Sequence, residues 1–170
     1  MDPVTGILPS MIILGVAALV ALALAFVRRS HPDNVRERID ASNALAVAVA
    51  IQAAHFGEEL ATGFHVKFPA LFGLPPMSPT FFIIFNLTWI AIWVAAIPGL
   101  RLAQPAAYFA AWFLAIAGII NGIGHPILAI VTGGYFPGLV TSPFIGIAGV
   151  WLWRRMYATT VAAKIGIEPT

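Results

Sequence analysis

The sequence predicts an all-α membrane protein: a bundle of five transmembrane helices with its N-terminus out and its C-terminus in. Three observations carry this expectation. Of the 170 residues, 60% are hydrophobic and only 9% are charged, more apolar surface than a soluble domain of this size covers. The apolar residues fall into five runs, at 9–27, 44–64, 80–98, 106–131 and 138–153, most of them near the roughly 20 residues that a spanning helix needs. The basic residues alternate between the connecting segments as cytoplasmic positive charge does.

The first run, 9–27, is followed by Arg28 and Arg29, while residues 1–10 carry only Asp2 as a charge. A cleaved signal peptide places its positive charge before the apolar stretch, so a retained first helix is expected. Arg36 and Arg38 lie on the same side, Arg101 follows the third run, and Arg154, Arg155 and Lys164 follow the fifth. Only Lys67 is left for the opposite face. The high pI of about 9.4 is thereby explained by topology, and nucleic acid is not an expected partner. Membrane lipids are, in a multi-pass plasma-membrane protein whose residues 1–170 form one transmembrane domain. The chain has no cysteine, which excludes disulfides and thiolate metal sites.

Between the runs, the polar stretch 30–42 reads as a loop or short surface helix. The stretch 68–79, with Pro69, Pro75, Pro76 and Pro79, reads as a structured outer loop in which a continued helix is forbidden. The fifth run is the shortest. A weak repeat connects the two halves: His55 and Thr62-Gly63 are matched by His125 and Thr132-Gly133, then Phe68-Pro69 by Phe136-Pro137, and Ser78-Pro79 by Ser142-Pro143. It suggests two helical hairpins related by a parallel repeat; chance similarity in a biased composition is the alternative. Trp89, Trp93, Trp112, Trp151 and Trp153 are expected mostly at lipid-facing or interfacial positions. His31 and His65 are expected in solvated loops.

Polar side chains inside a span are costly and mark functional sites by default. At 100° per residue, Gln52, His55, Glu59 and Thr62 share one stripe of the second helix, and Glu58 lies beside them. The fourth helix carries Asn121, His125 and Thr132 within about 40° of one another. Pro126 there predicts a kink beside His125, and Gly118 and Gly122 predict a close helix neighbour. Counted at 1.5 Å per residue from residues 44 and 106, Glu58 and Glu59 lie about 21 to 23 Å up, Asn121 about 23 Å and His125 about 29 Å. Asn86 lies about 9 Å below the outer boundary. These residues therefore fall in the outer half of the bilayer, drawn from three helices.

Two adjacent carboxylates in a low-dielectric site do not both ionise cheaply, so Glu58 and Glu59 are candidates for an acid and base pair tuned by His55 and His125. The same four residues are candidate ligands for a divalent metal, zinc or iron. Neither the His-Glu-x-x-His zincin motif nor a di-iron carboxylate set is present. Asn86, Asn121 and Gln52 are candidates for binding substrate, with interhelical hydrogen bonding as the bland alternative.

His55-Phe56-Gly57-Glu58-Glu59, Gly124-His125-Pro126 and the segment from Gly134 to Gly138 together resemble the HXXEE-domain family of small prokaryotic integral membrane proteins. The resemblance spans roughly residues 44–153. It implies no settled activity, and it favours His55, Glu58, Glu59 and His125 as one site. The expected function is a membrane-embedded enzyme, an isomerase, cyclase or hydrolase, acting on a lipophilic, lipid or isoprenoid-like substrate by acid-base or metal-assisted chemistry. The alternatives are a proton-coupled or divalent-metal transporter or channel, and a non-catalytic membrane scaffold.

Overall fold

A computed structural model describes residues 5–30 and 33–162. His31 and Lys164 lie outside the described residues. A 3-10 turn at Thr5–Ile7 leads into α1 (Leu8–Val27), followed by β1 (Arg28–Ser30), α2 (Val35–Thr62), α3 (Phe64–Ala70), α4 (Pro79–Arg101), α5 (Pro105–Thr132), α6 (Ser142–Thr159) and β2 (Thr160–Ala162). The all-helical expectation holds. Among the described residues four helices, α1 with the turn before it, α2, α4 and α5, are long and apolar enough to cross a membrane, with mean hydropathy from 1.2 in α2 to 2.7 at the N-terminal helix. α2 is the least apolar because it carries the polar stripe. The fifth, α6, has 18 residues, and Arg154 and Arg155 lower its apolarity below that of the others.

The helix ends follow local chemistry. Proline occupies the first turn of α1, α4, α5 and α6, where a missing N–H costs no intrahelical bond. α2 and α5 both end at a glycine in the left-handed region, Gly63 (φ 82°) and Gly133 (φ 71°). Thr62 and Thr132, just before those glycines, both donate to the carbonyl four residues back.

Several expectations need correction. The polar stretch 30–42 is largely helix: α2 begins at Val35, so residues 35–42 are its first turns. The proline-rich segment does not exclude helix, because α3 contains Pro69. The carbonyl that Pro69 leaves unpaired, four residues back at His65, accepts from the Met77 N–H at 2.8 Å. His65 is thereby part of a short helix and half-buried, not a free loop residue. α5 runs helical through Pro126 to Thr132. Two of the tryptophans are core residues: Trp112 is fully buried against Trp153, and Trp93 is buried with its indole N–H on Ala110 O at 3.0 Å.

α5 is the centre of the bundle and packs on α1, α4 and α6, while α2 packs on α4 and α6. The predicted close neighbour of Gly118 and Gly122 is α6. A side chain at Gly122 would meet Gly146 Cα at 2.5 Å, and one at Gly149 would meet Ala115 O at 2.8 Å. α1 leans on α5 through Ala17 and Ala21 and exposes most of its other side chains. At its start, Gly6 lies against the Pro75 carbonyl, so close that a methyl group would collide with it. At the other end of the molecule β1 pairs antiparallel with β2, and Arg28 donates to Thr160 Oγ1 and O while its guanidinium covers the Tyr157 ring at 3.6 Å. This clasp joins the ends of α1 and α6. Core packing is divided in two, with alanines, Leu45, Trp112 and Ile145 toward the clasp and Phe56, Phe68, Met77, Phe82 and Phe136 toward α3.

Candidate metal centre

His55 on α2 and His125 on α5 face each other, their ring centroids 4.8 Å apart and their planes at 88°. Both are buried. They meet because α2 and α5 are matched helices of 28 residues, with each histidine 20 residues after the helix start, at Val35 and Pro105. Glu59 lies one turn beyond His55 on the same face, as helical spacing requires. Its Oε1 is 3.6 Å from His55 Nε2 and 3.4 Å from His125 Nε2.

The far nitrogens of both rings are already committed. His125 Nδ1 is 2.6 Å from the Pro137 carbonyl oxygen, which only accepts, so this nitrogen carries a proton. His55 Nδ1 is 2.7 Å from Thr141 Oγ1, and that hydroxyl donates its own proton to Glu58 Oε2 at 2.5 Å, so His55 Nδ1 is also the donor. In the neutral rings both Nε2 atoms therefore carry lone pairs, and both point at a carboxylate oxygen. His55 Nε2 has no hydrogen-bond partner among the described residues. Three Lewis-base atoms, from His55, Glu59 and His125, lie within 4.8 Å of one another. Uncompensated lone pairs brought together in a buried site repel. Separations of 3.4 and 3.6 Å are close to the edge of about 3.3–3.5 Å expected for tetrahedral ligands at zinc bond lengths.

Glu58 and Glu59, adjacent in sequence, have separate surroundings. The Glu58 carboxylate turns to the 133–141 loop and accepts from the Tyr135 hydroxyl at 2.5 Å, Val140 N–H at 3.0 Å, Thr141 N–H at 2.8 Å and the Thr141 hydroxyl. Burial, reinforced by the carboxylate it donates to, pushes the Tyr135 phenol above its ordinary value. Glu58 thus anchors the loop that delivers Thr141 and Pro137 to the two imidazoles. Gly138 makes that delivery possible. It sits at φ 86°, and a side chain there would meet His125 Cε1 at 2.6 Å, His125 Nδ1 at 2.7 Å and His55 Cε1 at 2.9 Å.

Gln52, Asn86 and Asn121, together with Glu59 and His125, line one cavity of about 150 Å³. Asn86 donates to Phe82 O at 2.9 Å, and Gln52 Oε1 is buried without a hydrogen-bond partner among the described residues. The remaining walls are largely aromatic, including Phe64, Phe82 and Trp89. The His125 ring also lies 5.7 Å from Phe64 and 6.1 Å from Phe136, which close the site toward α3.

Sequence reasoning singled out the helix-borne residues of the centre, cited the segment from Gly134 to Gly138, with Tyr135, Pro137 and Gly138, only for the family resemblance and not for the site, and missed Thr141. The repeat passes through Pro137, and Thr141 directly precedes Ser142-Pro143, yet nothing local in that segment points at a histidine. No curated protein and no solved structure matches the sequence. The sequence does match, over residues 46–152, the family described as a protein of unknown function with HXXEE motif. The histidine and final glutamate of that motif are the ones that converge here with His125, so the motif marks a built three-residue centre, and the chain belongs to the HXXEE family.

Proposed function

We propose that the chain is a multi-pass membrane enzyme of the plasma membrane, one transmembrane domain with N-out/C-in orientation, that acts on a lipophilic substrate with a divalent metal held by His55, Glu59 and His125. One observation carries this reading: both imidazoles spend Nδ1 on a protein acceptor and aim a bare Nε2 at the same carboxylate oxygen. That is the tautomer and orientation a metal-binding histidine needs, with its outer partner already in place. Two histidines and one carboxylate suit zinc or iron and leave a coordination position open. A metal there supplies Lewis-acid polarisation of a substrate oxygen or activation of a water.

Each neighbouring residue has a role in this reading. Glu58, through Thr141, holds His55 in register. Gln52, Asn86 and Asn121 orient the substrate from the cavity wall. With α6 taken as a fifth span, the matched helix pairs α2 with α4 and α5 with α6 support the two-hairpin repeat, and they bring His55 and His125 to one level. The wall between the centre and the clasp end consists of residues such as Ala44, Leu45, Ala48, Ala111 and Leu114. This stretch of wall is apolar, which favours an enzyme over a transporter.

Elemental analysis of detergent-purified protein tests the reading: about one zinc or iron per chain is expected in the wild type and none in His55→Ala or His125→Ala. Wild-type protein that stays metal-free after incubation with zinc and iron contradicts it. In Thr141→Val the shape is kept and the hydroxyl link between His55 and Glu58 is lost. Competition with a chelator is expected to show metal affinity lower by about 10–100-fold, as loss of an outer-shell partner gives elsewhere.

A further inference from the structure

The cavity beside the metal centre is small, and its polar groups are spread around it. Its volume is about 150 Å³, and a protein cavity of about that size takes up a benzene ring. Its hydrogen-bonding side chains come from four helices: Ser10 from α1, Gln52 and Glu59 from α2, Asn86 from α4, and Asn121 and His125 from α5. Flat aromatic side chains such as Phe64, Phe82 and Trp89 complete the wall. An occupant therefore meets ring faces and hydrogen-bonding groups together.

The protein does not use all of these polar groups itself. Asn86 spends an amide N–H on the Phe82 carbonyl at 2.9 Å. Gln52 Oε1 and Ser10 Oγ are buried and have no hydrogen-bond partner among the described residues. Gln52 is only 6% exposed, so bulk solvent does not satisfy it. A buried carboxamide left unpaired is costly, and turning it end for end exchanges its acceptor for its donor. It suits a ligand group that donates, accepts or does both, and a plain hydrocarbon would leave it unsatisfied. Gln52 and Glu59 share one face of α2, seven residues apart, which is about 10.5 Å of helical rise. One six-membered ring with a polar group at each end bridges side chains at that spacing.

We propose that this cavity binds a compact single-ring molecule with hydrogen-bonding groups at opposite ends of the ring. One end, an oxygen, faces Glu59 and His125; the other, an amide or hydroxyl, is bound by Gln52. The placing of the oxygen rests on the metal-centre reading, and the fit of the ring does not. The lipophilic substrate is thereby narrowed to one without a long hydrocarbon tail.

The experiment titrates full-length, detergent-purified protein with 4-hydroxybenzamide by isothermal calorimetry, in zinc-loaded and chelator-treated samples whose metal content is measured. Saturable binding is expected in both samples, tighter in the zinc-loaded one. 4-Methylphenol, which keeps the ring and the oxygen and lacks the amide, is expected to bind about 5–10-fold more weakly, as the loss of one hydrogen bond gives. That difference is expected to vanish in Gln52→Leu, which removes an unpaired amide and keeps the volume. Ala117→Leu, which fills the cavity from α5, is expected to abolish binding of both compounds, and Ala117→Val serves where the leucine variant does not fold. The N-dodecyl derivative of 4-hydroxybenzamide is expected not to compete. Absence of binding in both samples overturns the proposal, as do equal binding of the two compounds by the wild type, binding retained in Ala117→Leu, and competition by the dodecyl derivative. Binding of equal strength with and without zinc removes the placing of the oxygen and leaves the cavity standing. Zinc uptake without ligand binding overturns the cavity proposal and leaves the metal centre.

Discussion

Glu59→Gln is expected to lose bound metal altogether, a larger effect than the roughly 10–100-fold weakening that follows loss of an outer-shell partner. Glu59 supplies the one oxygen on which both Nε2 lone pairs converge and the only carboxylate among the three ligand candidates. An amide keeps the shape and removes the negative charge that a dication needs. The thermal behaviour is expected to separate this from simple misfolding. Zinc at 100 times its dissociation constant should stabilise the wild type by about 2.7 kcal/mol and should leave Glu59→Gln unchanged. Without metal the order should be equal or reversed, since Glu59 is buried and the variant replaces a buried carboxylate by a neutral amide. Melting curves with and without zinc check both signs. A glutamine variant that is stabilised by zinc as much as the wild type would exclude Glu59 as a ligand.

The second large effect is expected from a single methyl group. In Gly138→Ala the new Cβ would stand 2.6 to 2.9 Å from both imidazole rings, at a backbone φ of 86° that alanine rarely adopts. The backbone strain alone costs of order 1–3 kcal/mol. Relief requires the 133–141 loop to withdraw, and with it go Pro137 from His125 and Thr141 from His55. Metal binding is expected to be lost while helical content by circular dichroism is kept. Gly57→Ala is the control: it lies inside the motif, nothing stands within 4 Å of its Cβ position, and its metal content is expected to equal that of the wild type. Equal metal binding in Gly138→Ala would mean that the loop does not set the two rings.

These two residues mark the limit of what was legible in the sequence. The stripe of Gln52, His55 and Glu59 follows from helical periodicity alone, and burial of all three bears it out. The convergence of His55 with His125 was suggested by the repeat, but its metrical basis was hidden. The polar start of α2 looks like a loop by hydropathy, and only when residues 35–43 are counted as helix do the two histidines stand equally far along their helices. The pairing of Glu58 with Glu59 was misleading in a similar way. Adjacent residues point about 100° apart on a helix, and here that angle separates an inward ligand candidate from a carboxylate that anchors a loop. Thr141, Pro137 and Gly138 act through contacts across 12 to 86 residues of sequence, and no local pattern encodes such partners.

The burial of Trp93 and Trp112 has the same origin. Hydropathy and the interfacial preference of tryptophan treat each helix as if it faced lipid, whereas α5 is surrounded by α1, α4 and α6. A central helix turns even large side chains into core, and the fully buried Trp112 finds Trp153 across the contact with α6.

X-ray absorption at the zinc edge of zinc-loaded wild-type protein tests the central claim most directly. The geometry predicts a first shell with two imidazole nitrogens and one carboxylate oxygen at about 2.0–2.2 Å, and one imidazole fewer in His125→Ala. A shell without imidazole scattering, or one unchanged by His125→Ala, would contradict it.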